Sequence, residues 1–160
     1  MRDILRAEGR GVEGYRLNGH DFELAKDAST TQERTIECKV YYEDTDCMGV
    51  VYHANYLKFL ERGRTEYVGQ RLTGIDSYHD KGYFFMVHKM EIVFHSPGRL
   101  GDTLVVRSWI ERTSRYRIVV RQIISKKGEP RDYLVTATVT LVAVNPEGKL
   151  LEIPREFHEL

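Results

Sequence analysis

Residues Val40–Tyr67 read VYYEDTDCMGVVYHANYLKFLERGRTEY, and this stretch predicts a strand end, a loop and a helix in succession. The loop contains Asp44, Asp46 and Gly49, and the helix is expected to begin near His53. A helix start presents N–H groups without intrahelical partners at the positive end of the helix dipole. An acyl oxygen that gains negative charge could be stabilised there, with Asp46 facing the same carbonyl carbon.

Periodic patterns around this loop indicate one helix and five strands. Residues Thr35–Tyr42 alternate between apolar and polar side chains, with Tyr42 on the apolar face, as in a half-buried strand. Apolar side chains recur every three or four residues from Tyr56 to Leu72, which is typical of an amphipathic helix of about five turns. Four more strands are predicted at Phe84–Phe94, Thr103–Glu111, Arg115–Ser125 and Asp132–Val144, and a closing turn is predicted at Pro154–His158.

The connections between these elements predict the fold class. Short turns at Arg112–Ser114 and Lys127–Pro130 make the last three strands antiparallel neighbours. The helix follows the first strand, so a single sheet has to curl around it to hide both apolar faces. We therefore predict an α+β fold with a five-stranded antiparallel sheet wrapped around one central helix.

Composition limits the classes of protein that the chain can belong to. A length of 160 residues favours one domain that buries roughly two thirds of its unfolded surface. The net charge is zero, so charge gives no indication of a nucleic-acid partner. Cys38 and Cys47 lack the spacing of a zinc site or a disulfide framework, which favours a reducing compartment. No apolar stretch approaches the ~20 residues of a membrane span, and no signal peptide is evident, so we expect a cytoplasmic protein.

The first 32 residues have no assignable function. Residues 1–32 contain scattered charges and glycines without a sustained helical or strand period. We expect them to form an N-terminal extension that packs against the domain or against a partner chain. The domain itself is predicted to span residues 33–160.

The run EDTDCMGVVYHANYLKFLERGRTE, residues Glu43–Glu66, resembles the signature of the hotdog-fold acyl-CoA thioesterases. It is most similar to the branch that contains hydroxybenzoyl-CoA thioesterase and the Tol-Pal-associated acyl-CoA thioesterase. The segment HKMEIVFHSPGRLGDTLVV, the hairpin ERTSRY and the ending LEIPREFHEL extend the resemblance over roughly residues 34–160. It implies a hotdog fold, hydrolysis of acyl-CoA to free acid and coenzyme A without metal or other cofactor, and a homodimer or homotetramer.

Asp46 is the predicted catalytic carboxylate. In the resembling family, the aspartate at this position of the D-x-D-x-x-G motif attacks the thioester carbonyl or activates the water that attacks it. A carboxylate of ordinary pKa is ionised at neutral pH, as both roles require. From the residues alone, Asp44, Thr45 and Asp46 could equally be turn residues that bind nearby backbone N–H groups. With the resemblance, Asp46 is assigned to catalysis and Asp44 to loop structure.

His53 is the second predicted catalytic residue. In the hydroxybenzoyl-CoA enzymes the backbone N–H at this position polarises the carbonyl, and in the Tol-Pal-associated branch the residue is a histidine, as here. The imidazole could also protonate the leaving group or hold a water. The alternative is a solvent-facing or capping histidine.

Two sets of substrate-binding residues follow from the resemblance. The first lies in or beside the loop and could equally serve packing or capping; it comprises Gly49, Val51, Tyr52, Asn55 and Tyr56. The second lies on a basic hairpin that could hold the coenzyme phosphates or form a solvated strand face; it comprises Arg112, Ser114 and Arg115. The acyl pocket is expected to be lined by Tyr56, Phe59, Phe84, Phe85 and Met86. Glu61 and Arg64 could pair within the helix, and the resemblance places them near a dimer interface; a solvated helix face is the equal alternative.

Four alternatives remain open at this point. A Cys47–His53 pair could supply a thiol nucleophile and its base, and Asp44, Asp46 and His53 could ligate a metal. A dehydratase of the same fold would present its histidine and acid in a different motif. The non-enzymatic alternative is an acyl-CoA-binding or scaffolding protein of the cell-envelope machinery that kept the fold and lost turnover.

Overall fold

The computed structural model describes residues 33–159 and contains six strands, two α-helices and three short 3-10 turns. The predicted N-terminal extension and Leu160 lie outside the described residues. The strands are β1 (Arg34–Lys39), β2 (Phe84–Phe94), β3 (Thr103–Ser114), β4 (Arg117–Lys126), β5 (Glu129–Val144) and β6 (Leu150–Leu151), the helices are α1 (Tyr56–Arg71) and α2 (Ile75–Asp80), and the turns are Tyr42–Asp44, His53–Asn55 and Arg155–His158.

The strands form one antiparallel sheet in the order β1-β3-β4-β5-β2. The short β6 pairs with β5 at Ala143 and Val144. Helix α1 packs against β1, β3 and β4. The predicted α+β architecture, a sheet wrapped around one central helix, is therefore present, with β6 as an additional two-residue strand.

Helix α1 approaches the sheet closely at Gly63. A Cβ atom at this position would lie 2.7 Å from Cγ1 of Val106 and 2.9 Å from Oγ of Ser108, both on β3. Real Cβ atoms do not come this close to other heavy atoms, so a glycine is required here. The helix can then bury Phe59, Leu60 and Tyr67 against the sheet.

The strand boundaries differ from the predicted ones at the β3–β4 hairpin. Arg112, predicted in a turn, belongs to β3, which continues to Ser114. The connection is a two-residue turn at Arg115–Tyr116, and the register shifts by one residue between Ile110 and Arg112. Arg115 is therefore a turn residue and not the first residue of β4. Charged residues at this end of β3 interrupt the alternation of apolar and polar side chains, so the predicted strand stopped too early.

Two further differences concern the ends of predicted elements. Strand β1 ends at Lys39, and Tyr42, predicted on its buried face, is 83% exposed because the chain enters a 3-10 turn there. The helix ends at Arg71, and a second helix, α2, was not predicted. Its Tyr78 is buried against the rings of Phe85 and Phe157, so α2 is held by tertiary contacts that are remote in sequence.

Strands β1 and β2 form the two edges of the sheet. Several apolar side chains of β2 remain exposed, including Met86, Val87, Val93 and Phe94. An edge strand with exposed apolar side chains is a surface that proteins usually cover. Within residues 33–159, neither helix is long and apolar enough to cross a membrane.

Candidate active site

Asp46 lies in a tight turn closed by backbone hydrogen bonds. The Gly49 N–H donates to the Asp46 carbonyl at 3.0 Å, and the Asp46 N–H donates to the Val50 carbonyl at 2.9 Å. Gly49 has a φ of 72°, a left-handed conformation that glycine adopts at little cost. The Met48 N–H donates to Oδ1 of Asp46 at 2.8 Å. The hydrogen bond to Oδ1 thus orients the Asp46 side chain, while Oδ2 makes no hydrogen bond to residues 33–159.

Asp44 has a different environment from Asp46. Its side chain is buried, and Oδ2 accepts the Tyr41 N–H at 2.9 Å. Asp46 is only partly buried. The motif therefore contains one carboxylate enclosed in the loop, as expected of a structural residue, and one that a substrate can reach.

Two hydrogen bonds join this loop to the start of the helix. The Tyr52 N–H donates to the Asp44 carbonyl at 2.9 Å, and Nδ2 of Asn55 donates to the same oxygen at 3.1 Å. Asn55, predicted to bind substrate, therefore uses its amide to hold the loop. Asp46 and the first helical turn are positioned as one unit.

His53 begins the 3-10 turn that runs directly into α1. Its N–H makes no hydrogen bond to residues 33–159, as expected of a first-turn donor. The exposed imidazole lies 4.5 Å from the Tyr52 ring and 6.3 Å from the Phe94 ring, measured between ring centroids. The His53 ring therefore faces the end of β2.

The other predicted residues beside the loop divide into surface and core positions. Gly49 and Tyr52 lie at or near the surface. Val51 and Tyr56 are buried in the core, and the Tyr56 hydroxyl accepts the Gly98 N–H at 2.8 Å. Burial raises the pKa of Tyr56. Contact of these residues with a substrate stays a prediction.

The predicted coenzyme-binding hairpin lies at the opposite end of the sheet from Asp46. The Asp46 loop adjoins the start of β3, because the Leu100 N–H donates to the Gly49 carbonyl at 3.1 Å. From Thr103 to Arg112 the strand advances nine residues, or roughly 30 Å at ~3.3 Å per residue. The structure therefore does not bring the hairpin and Asp46 of one chain together.

The three hairpin residues also differ in their contacts. Arg115 forms an ion pair with Glu152 at 2.5 Å, and its guanidinium lies 5.3 Å from the Tyr116 ring centroid. The Glu152 carboxylate raises the pKa of Arg115. Arg112 and Ser114 are exposed, and neither has an ion pair or hydrogen bond with side chains of residues 33–159.

A cavity of about 320 Å³ lies beneath the second half of α1. Its walls come from α1, α2 and the inner faces of β2, β3, β4 and β5. Most of the lining is apolar, and Phe85 and Val87 of β2 belong to it. Of the five residues predicted to line an acyl pocket, only Phe85 lines this cavity. Tyr56 and Phe59 lie in the core instead, since they sit on the buried stripe of α1.

A buried polar network missed by the sequence analysis adjoins this cavity. Gln122 on β4 is fully buried, and its Nε2 donates to the Leu60 carbonyl and to Oγ of Ser108, both at 2.8 Å. Nη1 of Arg64 donates to Oε1 of Gln122 at 3.0 Å. The signal in the sequence was a glutamine on an inward face otherwise formed by Ile118, Val120 and Ile124.

The predicted pairing of Glu61 with Arg64 is wrong as a salt bridge. Glu61 accepts a hydrogen bond from the Thr65 hydroxyl at 2.7 Å, while Arg64 turns toward Gln122. Burial lowers the pKa of Arg64, and the more distant Glu61 charge opposes that shift. Both side chains line the cavity.

Neither alternative site chemistry has a matching arrangement in the described part of the chain. Cys47 is exposed, and no hydrogen bond joins it to His53 within residues 33–159. Over the same residues, His, Cys, Asp and Glu side chains form no group of three that could hold a metal ion. Cys38 is buried, and burial raises the pKa of its thiol.

Comparison with known proteins identifies the family. The model of the thioesterase superfamily matches residues 48–132, more than half of the chain. Over 108 residues the chain is 36% identical to the acyl-CoA thioester hydrolase YbgC of Escherichia coli O157:H7, covering 68% of this chain and 79% of that protein. It is 38% identical over 87 residues to the acyl-CoA thioesterase YbgC of Helicobacter pylori strain 26695, covering 54% of this chain. That match spans 63% of the Helicobacter protein, less than two thirds of its length.

A solved structure agrees with the sequence relatives. The probable thioesterase from Bartonella henselae superposes with a TM-score of 0.70 at 35% identity, covering 76% of this chain and 99% of that chain. The predicted hotdog fold is confirmed by this likeness and by the family match, whereas the Tol-Pal-associated branch stays a prediction. The chain therefore belongs to the thioesterase superfamily.

Proposed function

We propose that this protein is an acyl-CoA thioesterase that hydrolyses an acyl-CoA to the free acid and coenzyme A. The observation that supports this most strongly is the turn at Asp46. It leaves one carboxylate oxygen without a partner among the described residues and is joined through Asn55 to a helix start with an unpaired N–H at His53. A nucleophile or base and an oxyanion donor are the two groups that acyl transfer needs.

Two routes are compatible with this arrangement. In the first, an Asp46 oxygen forms a bond to the thioester carbonyl carbon, the C–S bond breaks as the thiolate leaves, and water then hydrolyses the acyl-aspartyl anhydride. In the second, Asp46 takes a proton from the water that attacks the carbonyl carbon. In both routes the oxyanion forms at the helix start, where a donor is worth roughly 3–4 kcal/mol in the transition state.

Release of free thiol from a panel of short, long and aromatic acyl-CoAs tests this proposal. We expect turnover of at least one class of substrate in the absence of added metal or cofactor. Tight binding of acyl-CoA without thiol release across the whole panel would instead support the binding or scaffolding alternative.

We propose further that two copies pair through the β2 edges. Strand β2 has the cavity at one end, through Phe85 and Val87, and the His53 ring at the other, through Phe94. In an antiparallel pairing centred on the strand, the Phe84–Val87 end of one copy lies beside the Glu91–Phe94 end of the other. The cavity of one copy then adjoins the Asp46 loop of its partner. The β3–β4 hairpin of one copy approaches the same loop of the other.

Sedimentation should therefore show a dimer, or a tetramer formed from two dimers, at micromolar concentration. Val93→Lys places a charge among the exposed apolar side chains of this edge and should shift the protein toward monomer with loss of activity. Glu129→Lys, at an exposed position at the start of β5 and away from the Asp46 loop, is the control. A stable and active monomer would contradict the edge pairing.

The hairpin is proposed to bind the coenzyme phosphates, through Arg112, Ser114 and Arg115. Replacing Arg112 and Arg115 together with Ala should raise KM for acyl-CoA about tenfold with little change in kcat, because phosphate contacts are equal in the ground and transition states. Hydrolysis of an acyl thioester on a pantetheine fragment should change by less than about twofold. An equal loss on both substrates would remove this assignment.

Arg115→Ala alone should raise KM for acyl-CoA less than Arg112→Ala alone, since Glu152 already neutralises the Arg115 side chain.

The cytoplasmic location, the lack of a cofactor and the Tol-Pal association stay predictions from the sequence.

A further inference from the structure

Gly98, in the connection between β2 and β3, uses both of its backbone groups to join the Asp46 loop to helix α1. Its carbonyl accepts the Val51 N–H at 2.8 Å, and its own N–H donates to the Tyr56 hydroxyl, also at 2.8 Å. Val51 belongs to the loop that carries Asp46, and Tyr56 is the first residue of α1. A residue from a third segment therefore links the loop to the helix.

The link continues from Gly98 to Asp46 through the main chain. Val50 forms an antiparallel bridge with Arg99, the residue after Gly98. The Val50 carbonyl accepts the Asp46 N–H at 2.9 Å. A displacement of Gly98 would therefore move the Asp46 backbone, because hydrogen-bonded main chain joins the two.

The hydrogen bond between Tyr56 and Gly98 is enclosed by the core. The Tyr56 side chain is 2% exposed, and Gly98 is buried. A Cβ atom at Gly98 would lie 3.3 Å from both Cγ2 of Val51 and Cδ2 of Leu104, so the main chain is closely packed here. Loss of such a hydrogen bond is costly, because water cannot reach the buried N–H to replace the missing partner.

The Asp46 loop is thus held to the start of α1 on both sides of the carboxylate. Two residues before Asp46, the Asp44 carbonyl accepts the Asn55 amide. After Asp46, the link through Gly98 leads to Tyr56. Asn55 and Tyr56 are consecutive residues where the 3-10 turn passes into α1, so both attachments fix the carboxylate relative to the same helix start.

We infer that Tyr56 is a positioning residue for hydrolysis, whose hydroxyl acts through Gly98 to set the distance between the Asp46 carboxylate and the N–H groups of the helix start. Misplacement of reacting groups by about 1 Å can lower a rate on the order of 100-fold. The inference rests on the proposed thioesterase activity, and it gives Tyr56 a role different from the substrate contact expected from the sequence.

Tyr56→Phe removes only the hydroxyl and keeps the ring that lies near Phe59 and Phe94. We expect kcat on the best substrate of the acyl-CoA panel to fall about tenfold and KM to change by less than about threefold, because the groups that bind substrate stay in place. Tyr67→Phe removes the hydroxyl of another buried tyrosine, about three turns further along α1, and should keep kcat within about twofold. A parental kcat in Tyr56→Phe, or a change in KM alone, would overturn the inference.

A double variant separates positioning of Asp46 from a general loss of structure. If Tyr56 acts through Asp46, Tyr56→Phe combined with Asp46→Asn should have a kcat within about twofold of Asp46→Asn alone, because the displaced side chain no longer has a charge to contribute. A further loss of about tenfold in the double variant would show that the hydroxyl acts independently of Asp46, which contradicts the inference.

Gly98→Ala tests the same link without changing the helix. The new methyl group would crowd Val51 and Leu104 and should lower kcat about fivefold with little change in KM. Its loss should not multiply with that of Tyr56→Phe, since both substitutions disturb one connection. Gly69→Ala is the matched control, because a Cβ at Gly69 meets no atom within 4 Å. Losses that multiply would count against a shared route to Asp46.

Hydrogen exchange reports the state of the loop without turnover. The Asp46 and Val51 amides are both hydrogen-bonded, and their exchange should rise at least about tenfold in Tyr56→Phe and stay parental in Tyr67→Phe. Parental exchange in Tyr56→Phe would overturn the inference even if kcat falls.

Failure of the proposed activity has a separate signature. If the parent hydrolyses no acyl-CoA of the panel, the thioesterase proposal is contradicted, and the role of Tyr56 in hydrolysis falls with it. If the parent is active and Tyr56→Phe keeps the parental kcat, the activity stands and only the role of Tyr56 is overturned.

Discussion

Substitution of Asp46 by Asn is expected to lower kcat by at least ~100-fold, the usual lower scale for loss of a general base. The amide keeps the shape of the side chain, and its oxygen can still accept the Met48 N–H, so the turn should survive. The charge needed for attack on the carbonyl or for activation of water is lost. KM should change by less than about tenfold, because the side chain acts on the reacting carbon and not on the coenzyme.

Thiol release under saturating and limiting substrate separates these two parameters. Cys47→Ala changes the neighbouring exposed residue and should leave kcat within a few-fold of the parent, and chelators should not inhibit. Near-parental turnover in Asp46→Asn, together with inactivation by Cys47→Ala or by chelation, would instead establish the thiol or the metal alternative.

Gly63→Ala is expected to destabilise the fold by about 1–3 kcal/mol, the usual cost of an overpacked site. The new methyl group would lie 2.7 Å from Cγ1 of Val106. Val106 is branched at Cβ and fully buried in β3, so it has few rotamers with which to move away. The helix would have to lift from the sheet and weaken its contact with Ser108 and Gln122.

Gly69→Ala provides the matched control on the same helix. A Cβ at Gly69 meets no atom within 4 Å, so alanine should raise stability by roughly 0.5–1 kcal/mol through its better helix propensity. Urea unfolding of the two variants at one protein concentration measures both effects, with the concentration held constant because an oligomer gains stability from association. Similar midpoints for Gly63→Ala and Gly69→Ala would show that helix α1 tolerates a side chain at the contact.

The alternation of side chains was sufficient to predict most of the sheet. Strand β2 has the predicted bounds, Phe84–Phe94, and the order of elements is as expected. Strand ends were less predictable where charged residues enter the sheet, as at Arg112. Helix α2 escaped prediction because it is only six residues long, and its Tyr78 is buried by Phe85 and Phe157, which lie at distant points in the chain.

The loop at Asp46 and the helix start near His53 were predictable because they are neighbours in the sequence, whereas their catalytic roles stay a prediction. Turn residues in a D-x-D-x-x-G segment and the unpaired N–H groups of a helix start both follow from local geometry. The structure added the connection that local geometry does not specify, in which Asn55 and Tyr52 bind the Asp44 carbonyl.

The sequence by itself determined the sheet wrapped around a helix and the position of the Asp46 loop. The periodicity of apolar side chains and the preferences of turn residues depend on only a few neighbouring residues. Only the tertiary structure decided what lies beneath the second half of α1. Arg64 and Gln122 lie on two elements and are 58 residues apart in the sequence, and their polar groups meet only when the helix lies on the sheet. Such a meeting depends on how closely α1 approaches β3 and β4, and that distance is set by Gly63 against Val106.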